Sequence, residues 1–447
     1  MFSNPPDALP LPPKPNVERY RKLAKDLLKA AKSTLSGSTN TLGNWAEKWL
    51  ETLSRLNPTK HDAARVRVAL KRRAAQVERF ARRKLTDDGG QCRLSEAQFV
   101  IARCHGFQSW AKLVKHIEEL SKKASTTARY EAAVESIVTG DLKTLKRLLR
   151  EEPGLVYARS NREHRATLLH YVSANGVEGY RQQTPANAIE LAKVLLKAGA
   201  EVDAEADVYG GGATTLGLVA TSVHPFRAGV QNPLMELLLE HGAEIDRPDS
   251  AGNKQSAVAG CLANGRIEAA QYLAARGAQL DLQSAAGIGR LDVVETFFTD
   301  KGRLKKGVAR EELKTAFLNA CLGGQNEVVA FFLKRGVKPS VHGGDGQTGV
   351  HYAAIGGQLE TIKLLLKENP QLESRNVYGG TVLGQTLWSA AHGGDPDTFA
   401  QIIETLIAAG AKVRDRHVPV NKQIDELLLR YGSVPEPSWY WFGEGPE

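Results

Sequence analysis

Two stretches of this 447-residue chain look equipped for chemistry. From Val208 it reads VYGGGATTLGLVATSVHP, and from Val377 it reads VYGGTVLGQTLWSAAHGG. A glycine cluster leading through threonine into an apolar helix is how a phosphate loop begins, because the first backbone N–H groups of the helix point at the anion. Such a loop also needs lysine followed by Ser or Thr after its last glycine, and neither copy has the lysine. GDGQTG at 344–349 spells the glycine spacing of a dinucleotide loop. KPSVH before it is a poor strand, however, and no strand–helix–strand unit surrounds it.

The other residues that could do chemistry are dispersed. His105 stands beside Cys104 with no second pair at metal-ligand spacing, and no H-E-x-x-H, G-x-S-x-G or clustered carboxylate pair occurs. Cys92, Cys104, Cys261 and Cys321 include no C-x-x-C pair. That pattern gives neither a zinc ribbon nor a disulfide framework and fits a reducing compartment. The expectation is a cytoplasmic protein without catalytic residues, metal or cofactor. No apolar run reaches the roughly eighteen residues of a membrane span. The opening MFSNPPDALPLPPKPN has no basic start followed by an apolar core, so no secretory signal is expected. Its prolines predict an extended, mobile lead-in over residues 1–16.

Charge divides the chain. The net charge is +9, but residues 1–125 carry 25 Lys and Arg against 12 Asp and Glu, leaving 34 against 38 for the rest. Two parts with different surfaces are expected. The acidic part repeats itself: a leucine-rich helical phrase, then a glycine, then a turn. It reads LAKVLLKAGAEVD at 191–203, LMELLLEHGAEID at 234–246, AAQYLAARGAQLD at 269–281, VVAFFLKRGVKPS at 328–340 and IIETLIAAGAKVR at 402–414. A shorter helical phrase precedes each copy, most completely in GQTGVHYAAIGGQLETIKLLL at 346–366.

This pattern resembles the ankyrin repeat, whose period is about 33 residues and whose first helix opens T-P-L-H-x-A. Thr348, Gly349, Val350, His351 and Ala353 take those places, and weaker copies start at Thr167, Ser256 and Thr315. The expected fold is therefore all-α: an ankyrin solenoid of about eight helix–turn–helix units over 126–430, three with insertions, behind a basic helical domain at 17–125. The unit near Asp281 reads as having almost no hairpin. Residues 431–447 form an aromatic tail in which Trp439, Tyr440, Trp441 and Phe442 are expected to cap the last repeat.

The opening phrases now have a place. Thr214 and Thr381 fall on the motif threonine, so VYGG is the tip of the finger-like turn between repeats, where glycine permits positive φ. The motif histidines His170 and His351 are expected to bond backbone. Tyr209 and Tyr378 at the finger tips are candidate contacts for a protein partner, since tyrosine brings contact area at low entropic cost. Two inserted loops in adjacent units, VEGYRQQTPANA at 177–188 and SVHPFRAGVQNP at 222–233, offer Tyr180, Arg181, Gln183, His224, Phe226 and Arg227. A weaker reading has Arg181, His224 and Arg227 holding a small anion. A third insertion is AHGGDPDTF at 391–399. The phrases VYGGGATTLGLVATSVHP, GYRQQTP and GGTVLGQTLWSA further resemble a group of bacterial ankyrin-repeat proteins. That resemblance implies a fold and a cytoplasmic setting, and it brings no site residues.

In the basic segment, Val17, Tyr20, Leu23, Leu27 and Ala31 share a helical face, and helical patterns run over 45–56 and 61–85. Arg72, Arg73, Arg79, Arg82, Arg83 and Lys84 crowd the last of these, a density that can track phosphates. LSEAQFVIARCHGFQSWAKLVKHIEEL at 94–120 reads as helix, turn at Gly106, helix, with Phe107, Trp110, Leu113 and Ile117 as core. It looks like a DNA-binding helix–turn–helix only superficially, because Lys112 and Lys115 fall where apolar residues belong. It also resembles a helical module found ahead of the array in the bacterial family. The leading expectation is a scaffold binding another protein, with nucleic acid through 61–120 as its rival.

Overall fold

The computed structural model describes residues 4–38, 41–56, 63–87, 92–122, 124–247 and 256–435. Residues 436–447 of the aromatic tail, Trp439 to Phe442 included, lie outside the described residues, as do residues 61–62 of the basic run. The described residues are all-α apart from short two-residue ladders, and the chain divides into two compact units, Met1–Gln255 and Ser256–Glu447.

In the first unit, the helices Val17–Leu35, Thr41–Leu56, Ala63–Arg82, Leu94–Cys104 and Trp110–Leu120 close around Leu27, Leu42, Val77, Ile101, Phe107 and Leu113, all fully buried. The apolar spacing of Val17–Leu35 produces this: Tyr20, Ala24, Leu27 and Ala31 recur at the helical period and face inward. Asn16 starts the helix, its side chain accepting the N–H of Glu18 at 2.9 Å.

The lead-in corrects the expectation of mobility over the part described. Pro5–Asp7 forms a 3-10 turn, and Leu9 N–H donates to Cys104 O at 2.7 Å. Ala8 and Leu9 are buried, and His105 fastens Leu9 O through Nδ1 at 3.0 Å. Apolar burial and hydrogen bonds from Leu9, His105 and Arg73 outweigh the tendency of a proline-rich segment to stay free.

Repeats follow. The helices Thr126–Thr139 and Leu142–Glu151 form the first hairpin, with Asp141 accepting the N–H of Thr144 at 3.0 Å. In the next unit the first helix shrinks to the 3-10 turn Leu169–Ser173, paired with Ala188–Lys197. The helices Thr215–Thr221 and Gln231–Glu240 come next, preceded by a finger whose two strands, Glu205–Ala206 and Ala213–Thr214, pair antiparallel.

The described residues of the second unit form five hairpins and a further helix: Ala257–Ala263 with Ile267–Ala275, Leu282–Gly287 with Leu291–Thr296, Arg310–Leu322 with Asn326–Lys334, Gly349–Ile355 with Leu359–Leu366, Val382–Ala391 with Pro396–Ala408, and Lys422–Arg430. From Leu282 to Ala408, first helices pack on first helices and second on second. Each hairpin thereby buries on its neighbours an apolar face it cannot cover alone. The shared core includes Phe317, Val329, Phe332, Val350, Ile362 and Ile403. The unit near Asp281 does form a short hairpin, with Asp281 capping its first helix through the N–H of Ser284 at 2.7 Å. The third insertion is mostly absorbed: Asp395 accepts the N–H of Thr398 at 2.9 Å and starts the second helix at Pro396.

Candidate protein-binding surfaces

The duplicated glycine–threonine phrase is a helix start, not a phosphate loop. Thr214 Oγ1 accepts the N–H of Gly217 at 3.3 Å, and Thr381 Oγ1 accepts that of Gly384 at 3.2 Å. Each threonine thus takes up an N–H that an anion would need. Where the motif histidine is present it completes the turn. His170 Nδ1 accepts the N–H of Thr167 at 3.1 Å, and His351 Nδ1 that of Thr348 at 3.2 Å. His170 Nε2 faces Ala213 O on the next finger at 3.3 Å, so it carries the proton. Burial first, then the Arg159 charge, lowers the His170 pKa to about 4.

The finger tips are open. Tyr209 is 59% exposed and donates from its hydroxyl to Asn175 Oδ1 at 2.7 Å; Tyr378 is 84% exposed. Gly210, Gly211 and Gly212 all take positive φ, the conformation that turning the chain back into a helix demands here.

The first inserted loop departs from its expected role. Arg181 is 8% exposed and points inward. Its Nη2 meets Glu131 Oε2 at 2.5 Å and its Nη1 meets Glu178 Oε1 at 3.2 Å. Arg162, from the preceding finger, completes a square: Nη1 lies 2.7 Å from Glu131 Oε1 and Nε 2.9 Å from Glu178 Oε1. Two guanidiniums cancel two carboxylates in a site closed to water. Burial alone would raise both carboxyls, but Arg162 and Arg181 overcome it, holding Glu131 down to about 2 and Glu178 well below the carboxylate range. Arg162 also lies over the Phe107 ring at 5.4 Å, and Arg181 over Tyr180 at 5.4 Å. A residue so engaged has no charge left for a partner or a free anion. Arg181 is therefore withdrawn from the binding surface, and with it the anion pocket.

This square is a clasp within the repeats, and it meets the head at Phe107. Glu131 comes from the first repeat helix, Arg162 from a finger, Glu178 and Arg181 from the inserted loop, and Phe107 from the turn that Gly106 makes at φ +81. Beside it Arg103 pairs with Glu163 at 2.5 Å, and Glu163 N–H donates to Gly106 O at 2.9 Å. A Cβ on Gly106 would stand 3.3 Å from Ala8 Cβ, so the lead-in packs onto the same turn. The helix–turn–helix look-alike thus has its turn covered, while Lys112 and Lys115 are exposed.

Of the remaining loop residues, Gln183 stays exposed and Tyr180 half-buried. His224, Phe226 and Arg227 come together on the short helix Val223–Arg227, with Phe226 41% exposed. Burial, then the Arg227 charge, lowers the His224 pKa. That loop is closed underneath by Gln231, whose Nε2 donates to Val219, Ala220 and Ser222 carbonyls at 2.9–3.1 Å. The basic crowd of the head splits. Arg73 pairs with Asp7 at 2.7 Å and Arg82 with Glu78 at 2.8 Å, whereas Arg72, Arg79, Arg83 and Lys84 are exposed.

The second unit holds a groove of about 890 Å³ that sequence reasoning missed. Tyr378 stands at its edge. Trp388, 57% exposed, lies along it, stacked on His392 with ring centroids 4.1 Å apart and planes 19° apart. The i, i+4 spacing of Trp388 and His392 on a predicted helix was the available signal.

A family model for ankyrin repeats, three copies, matches residues 282–376 and again 317–417. Those residues are similar to ankyrin repeats, and the match spans four of the stacked hairpins of the second unit, from Leu282 to Ala408. Repeats of this kind are in general protein–protein interaction modules, and proteins built from them are typically scaffolds without catalytic activity. Among the described residues there is no cluster of three metal-ligating side chains, and no helix is long and apolar enough to cross a membrane.

Proposed function

We propose that this chain is a non-enzymatic scaffold that binds another protein through the finger tips and first helices of its repeats. The observation that carries this reading is the contrast in exposure on the repeats: their apolar faces are spent on neighbours, yet Tyr209, Phe226, Tyr378 and Trp388 remain 41–84% exposed. Exposed large aromatics on a rigid stacked frame are what interface hot spots are made of. Residues 17–125 serve as a helical head that meets the array through the Arg103–Glu163 ion pair and through Phe107 beneath Arg162. The four cysteines are buried and none forms a disulfide among the described residues, which supports the reducing, cytoplasmic setting that the family resemblance implies.

A second reading, nucleic-acid binding by the head, draws on Arg72, Arg79 and Arg83, which are exposed and fall seven and four residues apart, on one helical face. Affinity capture with the full chain, with and without nuclease, separates the two. The scaffold reading expects the same protein partner in both arms, reduced by Tyr209→Ala with Trp388→Ala. Recovery that collapses with nuclease and with Arg72→Ala, Arg79→Ala and Arg83→Ala contradicts it.

A further inference from the structure

The groove of the second unit has a composition of its own. Its floor is aliphatic: Leu383 and Leu428 are buried, while Leu387, Val413 and Val418 are half-buried beside them. Trp388 forms one wall and is held flat against His392, whose Nδ1 lies 2.7 Å from Trp388 O. Along one rim run Lys412, Arg414 and Arg416, all exposed. Asp415, the acidic residue among them, is also exposed, which leaves this rim with a positive excess. No carboxylate pairs with Arg414 or Arg416 among the described residues.

The pattern contrasts with the clasp, where each guanidinium faces two carboxylates. Here the cations border an apolar trough and face solvent. Burying that trough and satisfying the rim together requires an occupant with apolar side chains on one side and negative charge on the other.

We propose that this groove docks a short acidic segment of a partner protein, with one or two apolar or aromatic side chains over Leu383, Leu387 and Val413, and carboxylates on Lys412, Arg414 and Arg416. Trp388 supplies a preorganised stacking face, and His392 holds it so. This rests on the scaffold reading and adds to it the chemistry of the partner. The aliphatic floor argues for side chains over nucleobases, which need a row of aromatic platforms and a longer basic track.

The test is selection of random twelve-residue peptides on the immobilised full chain, followed by fluorescence anisotropy of the selected peptides in solution. Selected sequences rich in Asp or Glu with an apolar anchor are expected. Arg414→Ala with Arg416→Ala should weaken them at least ten-fold, as should Trp388→Ala, with the thermal melt unchanged. Raising salt to about 0.5 M should weaken them several-fold, since exposed charge pairs are screened. Peptides without acidic residues, or affinities indifferent to these substitutions, overturn the proposal. So does tighter binding of an oligouridylate of the same length. Peptides that bind a chain ending at Pro435 but not the full chain would also overturn it, making residues 436–447, with three glutamates and four aromatics, the occupant. If a captured protein partner still binds the Arg414, Arg416 and Trp388 variants, the groove proposal fails while the scaffold reading stands. Capture of no protein partner by the unsubstituted chain fails the scaffold reading itself.

Discussion

Arginine, tyrosine and histidine gather twice in this protein, to opposite ends. In the first unit Arg162 and Arg181 are closed off from water and saturated by Glu131 and Glu178. In the second, Arg414 and Arg416 stand exposed beside an aliphatic trough with Trp388 and Tyr378. Residue type does not separate these regions; the partners each guanidinium already has do. A buried, neutral square contributes by fixing which elements meet, because leaving any member unpaired is costly. An open row of cations contributes little to stability and keeps its charge for something else.

Acid should break the first region hardest. His105, His116 and His170 are buried and neutral. Burial is the chief cause, and each pKa falls to about 4. Between about pH 6.5 and 4 the unfolded chain binds protons that the folded chain refuses, so stability is full above that window and is lost as pH falls through it. The limit is about 3 kcal/mol for each histidine, enough together to unfold the first unit. Denaturant melts from pH 7.5 to 4, followed by hydrogen exchange, should show that unit opening with uptake of close to three protons. A flat profile over that window contradicts the buried neutral histidines. Glu131 and Glu178 act in the same direction but at lower pH, since their folded pKa values are depressed.

Glu178→Ala comes next. It leaves Arg162 and Arg181 short of a counter-charge and should cost about 3–5 kcal/mol, read as a shift in the urea midpoint. A change under about 1 kcal/mol would mean the clasp is not closed to water. Gly106→Ala forces φ +81 on a residue with a Cβ and pushes against Ala8, a loss of about 1–2 kcal/mol that should appear first as exchange of the Leu9 amide. The smallest effect belongs to the second region. Arg414→Ala with Arg416→Ala should move stability by no more than about 0.5 kcal/mol. A large loss there would assign those arginines to the fold.

The sequence made some of this visible. Repeat periodicity is written locally, in the leucine spacing of 234–240 and in the Thr348–His351 box, because each hairpin meets the same neighbours as the last. The threonine caps of the duplicated phrase were legible for the same reason. The clasp was not: Glu131, Arg162 and Arg181 meet across tens of residues, and nothing in GYRQQTP marks the arginine as turned inward. The groove was missed because an exposed tryptophan on a repeat helix reads like any other apolar residue until the neighbouring turn supplies Arg414 and Arg416. The proline-rich lead-in misled because its docking rests on Cys104 and His105, about a hundred residues away.

Hydrogen exchange of the full chain, free and bound to its captured protein partner, tests the scaffold claim most directly. New protection on the finger tips and first helices of the repeats, around Tyr209 and from Tyr378 to His392, is the predicted result. Protection confined to the head, along the face of Arg72, Arg79 and Arg83, would contradict it.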